Sequence, residues 1–251
     1  MRRHVGGMGR KFSDLRLACP FGSEGELKEL FERAYSLGFR LLAIPLEPST
    51  PRREINEIKK VASEIGLDFA TRVDVRAGSR EELLSALRRL RRKFELIGVF
   101  CSSKRVARVA ARDRRVDLLL FPLDPRRRFF DRAEAELASN SNCALEVELM
   151  PLFEMDRWRR VEVLARLREE VAIAREYGVP LVISSGARRP ILMRRPRELA
   201  HLAIVLGLSL EGALDALSKN PVSLVERNRA KLGPDFVAPG IRIVRRGSGC
   251  P

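Results

Sequence analysis

Short apolar runs alternate with longer stretches of helical periodicity along most of this chain. We predict seven strands, at 14–18, 40–46, 68–73, 96–100, 117–121, 144–149 and 180–184. Between the early strands, apolar residues recur every three or four positions, as in the stripe Leu27, Leu30, Phe31, Ala34 and Leu37. Strands that alternate with amphipathic helices indicate βαβ units and a parallel sheet.

Helix ends and chain ends set the predicted boundaries. Gly38, Gly66 and Gly178 follow three of the predicted helices, where glycine adopts the left-handed conformation that ends a helix. After the seventh strand the pattern is helical only, over 197–206, 210–217 and a helix from Asn220. We therefore predict a basic N-terminal tail at 1–11, a single domain at 12–232 and a loose C-terminal tail at 233–251.

Strands that are apolar on both faces fit either an open doubly wound sheet or a closed barrel. Seven successive strand and helix units without a glycine-rich first turn favour the barrel, and no GxGxxG or GxxxxGK[ST] motif supports a dinucleotide or P-loop site. The predicted fold class is α/β, a TIM-like barrel with about seven parallel strands and surrounding helices. In such barrels the functional residues lie on the loops that follow the strands.

The charge of the chain narrows the class of partner. The formal net charge is +15 over 251 residues, and only eight of the 48 basic residues are lysine. A strongly positive surface attracts polyanions, and arginine binds phosphate bidentately and stacks on bases. An arginine-rich genome is the alternative explanation of the arginine excess.

The basic residues are clustered. Between Arg88 and Arg132 there are fifteen Lys or Arg against five acidic residues, and a second group spans 188–197 without an acidic residue. A solvated helix face is the alternative for the run at 88–93. The arginines at 126–128 and 188–189 follow strands in loops, which favours phosphate binding there.

Metal or nucleophile chemistry has little support in the sequence. The chain has two histidines, His4 and His201, too few for the His-rich metal cluster of barrel phosphoesterases or for a His-based nucleophile system. The first strand carries Asp14 and Arg16 on one side, and we predict that they hold the barrel mouth by pairing with neighbouring strand ends. The alternative is a stand-alone metal-dependent phosphoesterase that uses strand-end carboxylates, namely Asp14, Asp74, Asp124 and Glu148.

The segment 182–190 combines a buried strand, the small residues Ser184, Ser185 and Gly186, and then Arg188 and Arg189. Successive backbone N–H groups in such a turn can bind an anion. We predict a phosphate-binding turn here. A tight turn with surface arginines, or a barrel enzyme that binds a phosphorylated metabolite, are the alternatives.

The remaining features concern the cellular setting. Cys19, Cys101, Cys143 and Cys250 have no metal-ligand spacing, and the longest apolar stretch, at 116–122, is too short to span a membrane. We expect a cytoplasmic protein that does not bind membranes.

Several blocks of this sequence resemble one known family, ribonuclease P protein component 3. The specific block comprises Ile183 to Ala187, Arg189-Pro190, Arg194, Pro196, Leu206-Gly207-Leu208, Ala213, Ser218 and Asn220. Supporting blocks are Phe12-Ser13-Asp14-Leu15, the strand at 144–149 with Pro151-Leu152, and Trp158-Arg159-Arg160. The family has Ser-Ser-Ala where this chain has Ser184-Ser185-Gly186.

The resemblance implies a barrel related to the metal phosphoesterases but without their metal site, in an archaeal protein. It implies a subunit of ribonuclease P, the tRNA 5′ endonuclease, that binds the catalytic RNA and is itself non-catalytic. It also implies a small ferredoxin-like protein partner, indirect contact with precursor tRNA, no cofactor on the protein, and Mg²⁺ on the RNA. The residues predicted to contact RNA are Arg16, Arg72, Arg76, Lys104, Arg105, Arg126, Arg127, Arg128, Ser184, Ser185, Arg188, Arg189, Arg194 and Arg195.

Overall fold

The computed structural model describes residues 9–20, 22–233, 236–238 and 241–242. The strands are β1 (Ser13–Asp14), β2 (Leu41–Leu42), β3 (Pro45–Leu46), β4 (Asp68–Phe69), β5 (Arg72–Arg76), β6 (Leu96–Phe100), β7 (Leu118–Leu120), β8 (Ala144–Glu148), β9 (Leu181–Ser184), β10 (Phe236–Ala238) and β11 (Ile241–Arg242). Each of the seven predicted strands has a counterpart among β1 to β9, since β2 and β3, and β4 and β5, are halves of two interrupted strands.

The helices are α1 (Glu24–Leu37), α2 (Arg52–Ile65), α3 (Arg80–Leu90), α4 (Lys104–Arg112), α5 (Arg132–Ser141), α6 (Arg157–Glu176), α7 (Pro196–Ile204), α8 (Leu210–Ala216) and α9 (Lys219–Leu232). Ser23, Ser79 and Ser103 begin three of them by accepting a hydrogen bond from a backbone amide in the first turn. Gly38 and Gly66 end α1 and α2 in the left-handed conformation, as predicted. No helix among the described residues is long and apolar enough to cross a membrane.

The nine strands from β1 to β9 pair in parallel and close on themselves. One ladder has the order β1-β2-β4 and the other β3-β5-β6-β7-β8-β9, and they share the two interrupted strands. Beyond the ends of β1 and β9, the Gly186 amide donates to the Arg16 carbonyl at 3.0 Å and the Ala18 amide donates to the Ala187 carbonyl at 2.9 Å. These bonds make the first and last strands neighbours, which gives the predicted barrel.

The barrel interior has an apolar layer toward the end at which the strands begin. Its buried cluster comprises Leu15, Leu41, Ala43, Ala70, Leu96, Leu118, Leu120, Ala144, Val182, Leu224 and Val225. The last two belong to α9, so this helix covers the end of the barrel where the strands begin.

Polar contacts fasten α9 at that end. The side-chain amide of Asn228 donates to Asp117 Oδ1 at 2.7 Å and to the Glu95 carbonyl at 2.8 Å. Arg229 donates to both oxygens of Asp68, at 2.9 and 2.8 Å, and to Glu95 Oε1 at 2.9 Å. Helix α9 therefore covers the end at which the strands begin and not the end at which they finish.

The predicted tails differ from the structure in part. Residues 1–8 of the predicted N-terminal tail lie outside the described residues, whereas Lys11 is ordered by a 2.7 Å ion pair with Asp68. The loose tail from Gly233 stays a prediction, and in its described part β10 and β11 form an antiparallel pair. The rest of 234–251 lies outside the described residues.

Candidate nucleic-acid interface

The candidate site is the end of the barrel at which the parallel strands finish. Arg76 is the last residue of β5, and the loops after β6, β7 and β9 carry the other basic residues singled out from the sequence. Because parallel strands all finish at one end, these loops share one face. We call this end the barrel mouth.

Arg72 lies inside the barrel just below the mouth, and it is fully buried. Its guanidinium donates to both oxygens of Glu146, at 2.8 and 2.6 Å, and to Asp74 Oδ1 at 2.7 Å. It also donates to the Leu15 carbonyl at 2.7 Å. The prediction that Arg72 contacts RNA is therefore wrong, because the side chain has no solvent exposure and four of its five N–H groups donate within the barrel.

Arg16 forms a second layer above this pair. Its Nε donates to Asp74 Oδ2 at 2.9 Å and its Nη1 donates to Glu148 Oε1 at 2.5 Å. Arg16 thus bridges the ends of β5 and β8, as its predicted role at the barrel mouth requires. With only 12% of its side chain exposed, it borders the mouth as a structural group and not as a free RNA contact.

Asp14 differs from its predicted role, since no cation among the described residues pairs with it. Its Oδ1 accepts from the amides of Ser185 at 3.0 Å and Arg16 at 3.2 Å, and its Oδ2 is buried without a hydrogen-bond partner. Burial raises the pKa of Asp14 above its ordinary value. The carboxyl therefore holds the loop after β9 against the loop after β1.

The ion pairs that join Arg16, Arg72, Asp74 and Glu146 shift the pKa values of Asp74 and Arg72 in opposite directions. Burial alone would raise the pKa of Asp74, but the positive charges of Arg72 and Arg16 outweigh it and hold that pKa below the ordinary value. Burial would lower the pKa of Arg72, but Asp74 and Glu146 raise it instead. Arg72 and Asp74 therefore stay charged throughout the physiological range.

Two glycines make room for this network. A Cβ on Gly98 of β6 would lie 2.5 Å from Asp74 Oδ1 and 2.8 Å from Leu120 Cδ1. Gly186 has a φ of +61°, and a Cβ there would lie 2.8 Å from Glu148 Oε2. The glycine at 186, where the resembled family has alanine, thus allows the turn to pass directly over Glu148.

The predicted phosphate-binding turn is wrong in this conformation, because its donors are used internally. Ser184 Oγ donates to Glu146 Oε1 at 2.5 Å, and the Ser185 amide donates to Asp14. The Gly186 amide donates to the Arg16 carbonyl and the Ala187 amide donates to Ser185 Oγ at 3.1 Å. Ser184 and Ser185 are buried, so the prediction that they contact RNA is corrected as well.

Arg128 is the other predicted RNA contact that points inward. It forms a buried pair with Glu170 of α6, with Nη2 donating to Oε2 at 2.6 Å and Nε donating to Oε1 at 2.9 Å. It also donates to the Phe121 and Pro122 carbonyls, at 3.2 and 3.0 Å. Arg128 therefore anchors the loop after β7, while its neighbours Arg126 and Arg127 remain exposed.

Nine of the predicted RNA contacts are exposed around the barrel mouth. We call them the mouth surface: Arg76, Lys104, Arg105, Arg126, Arg127, Arg188, Arg189, Arg194 and Arg195. Lys104 pairs with Asp131 at 3.0 Å. No carboxylate among the described residues pairs with the other eight, although Arg194 donates to the Ile191 and Met193 carbonyls.

Each of the four carboxylates of the phosphoesterase alternative accepts a hydrogen bond within the protein, and Asp14 does so only through Oδ1. Asp74 and Glu148 are held by arginines, and Asp124 accepts a hydrogen bond from the Arg126 amide at 3.1 Å. Within the part of the chain that the structure describes, no three His, Cys, Asp or Glu side chains are placed to hold a metal ion. At the barrel mouth, the Arg16 guanidinium thus lies between the carboxylates of Asp74 and Glu148.

A cavity of about 190 Å³ opens at the centre of the mouth. Its lining includes Arg16, Arg76, Arg188 and the ring of Phe100 at the end of β6. Sequence reasoning missed Phe100, because an aromatic residue in an apolar strand is indistinguishable from a core residue. Its place at the end of a strand, beside predicted basic loops, is the signal that was present.

Comparisons with known proteins point to one family. The model of the RNase P subunit p30 family matches residues 11–232. Ribonuclease P protein component 3 of Methanococcoides burtonii is 27% identical over 234 residues, covering 93% of this chain and 94% of that protein. The same component of Methanosarcina mazei is 33% identical over 156 residues, covering 62% of this chain and 64% of that protein.

Solved structures share the fold. A chain in the cryo-EM structure of archaeal ribonuclease P with mature tRNA superposes with a TM-score of 0.82 at 20% identity, covering 93% of this chain and 98% of that one. A putative prolidase from Bifidobacterium longum superposes with a TM-score of 0.55 at 12% identity, covering 87% of this chain and 70% of that one. Both superpositions show a shared fold.

Proposed function

Because the chain belongs to the RNase P subunit p30 family, we propose that it is a protein subunit of ribonuclease P that binds the RNA of that enzyme through the mouth surface. One observation carries the assignment of the surface. Eight exposed basic side chains at one end of the barrel have no carboxylate partner among the described residues, while Asp74, Glu146 and Glu148 of that end are paired internally. The mouth surface therefore keeps its positive charge.

The energetics favour phosphate as the ligand of these arginines. Each basic residue that neutralises a phosphate releases counterions, so the logarithm of affinity falls with the logarithm of salt by roughly 0.7 to 0.9 per contact. A few contacts among eight available arginines give binding that is strong at low salt. Contacts to phosphate carry no sequence information, so the surface positions the RNA and does not read it.

The test compares two double variants of the full chain. Arg188→Ala with Arg189→Ala removes two charges from the mouth surface. Arg112→Ala with Arg114→Ala removes two exposed charges from the opposite end. Arg115 is not used as a control because it pairs with Asp113 at 2.6 Å.

RNA affinity is measured for both variants over a salt series, with ribonuclease P RNA. The mouth variant is expected to bind more weakly and to lower the magnitude of the salt slope by about one to two units. The control variant is expected to keep the slope of the unchanged protein. Equal losses in both would mean diffuse attraction to a basic protein and would overturn the assignment of the surface.

We further propose that the chain alone has no nuclease activity and that the catalytic Mg²⁺ is bound by the RNA. The supporting observation is that the strand-end carboxylates Asp74 and Glu148 are committed to arginines. Pure chain is incubated with precursor tRNA and Mg²⁺ or Mn²⁺, with and without the RNA and the other subunits. Cleavage by the chain alone that disappears in Glu148→Gln would contradict the proposal.

The partner that the family resemblance implies is a small ferredoxin-like subunit, with precursor tRNA reached only indirectly. Both are proposals for this chain. Co-purification of the two subunits without RNA is the expected result, and a complex that forms only when RNA is present would exclude a direct protein contact.

A further inference from the structure

The cavity at the barrel mouth has a size that suits part of a ligand. Its volume of about 190 Å³ is smaller than the roughly 300 to 1,000 Å³ of pockets that enclose a complete small molecule. Its lining includes the apolar Pro122, Leu123 and Pro151 and the exposed Arg76 and Arg188. Glu146 and Glu148 also line it, but their carboxylates pair with Arg72 and Arg16. A cavity of this size suits one planar group of a larger molecule.

Phe100 and Arg76 provide a stacking platform inside this cavity. The Arg76 guanidinium carbon lies 3.8 Å from the centre of the Phe100 ring, and that of Arg16 lies 5.1 Å away. Arg76 is exposed, so its outer face is free to receive a further planar group. Unpaired RNA bases stack on aromatic rings and on guanidinium planes in this manner.

The charges around the platform favour a group linked to phosphate. Arg16 is neutralised by Asp74 and Glu148, but no carboxylate among the described residues pairs with Arg76 or Arg188. A nucleotide combines the two required features, since its base is planar and its phosphate is anionic. A peptide without acidic residues or an apolar metabolite would leave both arginines without a partner.

We propose that the cavity receives one unpaired nucleotide of a bound RNA, with its base stacked on Arg76 above Phe100 and a phosphate on Arg188. This proposal rests on the proposed function, because it requires that RNA reach the mouth surface. It adds a contact that depends on a base and not on charge alone.

The test uses the full chain and an unstructured RNA decamer with one 2-aminopurine, whose fluorescence changes when the base stacks. Arg76→Lys keeps the charge and removes the planar group, and Phe100→Leu removes the ring beneath it. Arg114→Lys makes the same change at the opposite end and is the control. Far-UV circular dichroism and melting temperature check that each variant is folded.

The expected result is a loss of affinity without a loss of charge dependence. One stacked base is worth about 1 to 3 kcal/mol, so Arg76→Lys and Phe100→Leu should weaken binding by roughly 5- to 150-fold. Their salt slopes should match that of the unchanged protein, and Arg114→Lys should bind like it. A decamer that is abasic at every position should bind more weakly and should not distinguish Arg76→Lys from the unchanged protein.

The contrary results separate the two proposals. Salt-dependent binding with equal affinity for the unchanged protein and Arg76→Lys would overturn the nucleotide site and leave the proposed function standing. If the unchanged protein bound neither the decamer nor ribonuclease P RNA, the proposed function would be overturned. Free adenosine monophosphate serves as a second probe. If Arg76→Lys weakened tight binding of this nucleotide but left RNA binding unchanged, the cavity would be a site for a free nucleotide instead.

Discussion

Replacing Arg72 with methionine should cost more stability than any change on the surface of this protein. The substitution keeps most of the apolar stem and removes a guanidinium with no solvent exposure. Glu146 then keeps only the hydrogen bond from Ser184, whereas Asp74 retains Arg16. Stranding one buried carboxylate costs about 3 to 5 kcal/mol, out of a net stability that is typically about 5 to 15 kcal/mol.

Urea unfolding followed by far-UV circular dichroism measures this cost, because the single tryptophan, Trp158, is 77% exposed and would report unfolding poorly. Adding Glu146→Gln to Arg72→Met removes the stranded charge and should restore part of the lost stability. The matched control is Arg53→Met, which breaks an exposed pair with Glu57 and should cost less than about 1 kcal/mol. A cost for Arg72→Met equal to that of the control, or a further loss on adding Glu146→Gln, would refute the reasoning.

Three further expectations follow from close contacts and burial. Gly98→Ala should lower the free energy of unfolding by about 1 to 3 kcal/mol, because its Cβ meets Asp74, whereas Gly25→Ala in α1 should raise it slightly; urea midpoints compare the two. Burial raises the pKa of Glu134 to about 7, and Arg108 Nε, 2.8 Å away, is not aligned to bond it. Since the folded pKa exceeds the unfolded one, stability is lost as pH rises from about 4.5 to 7, by about 3 kcal/mol at most. Glu134→Gln should flatten that part of the pH profile of unfolding, and an unchanged profile would contradict the shift. Asn228→Ala should cost about 1 to 3 kcal/mol by leaving Asp117 short of a donor, which thermal unfolding can measure.

The sequence was sufficient for the barrel and for the exposed arginines. Hydrophobic runs report burial on both faces of a strand, so all seven strands could be placed. Loops after strands were correctly treated as one face, because parallel strands finish together. The exposed positions Arg76, Arg126 and Arg188 followed from that rule.

Sequence position alone could not separate inward from outward arginines. Arg126, Arg127 and Arg128 are consecutive, and only the third finds a buried carboxylate, Glu170, which is 42 residues away. A usable signal was nevertheless present in the strands. Charged residues lie two positions apart in three strands: Asp14 and Arg16 in β1 with its continuation, Arg72 and Asp74 in β5, and Glu146 and Glu148 in β8. This spacing puts both residues of a pair on one face of the strand. Two of the three pairs combine an acidic and a basic residue and the third, in β8, is wholly acidic, so together they indicate an internal ion network at the barrel mouth.

The sealing of the barrel by α9 sets an order of events during protein synthesis. Asp117 is made 111 residues before Asn228, the residue whose amide it binds. At about 5 to 20 residues per second, a ribosome takes roughly 6 to 20 seconds to cover that distance. During this interval β7, β8 and β9 are added to the sheet, and the emerging chain exposes the apolar residues that Leu224 and Val225 later cover. The nascent barrel is therefore most open to aggregation, and to help from chaperones, in the last seconds before its C-terminal helix arrives.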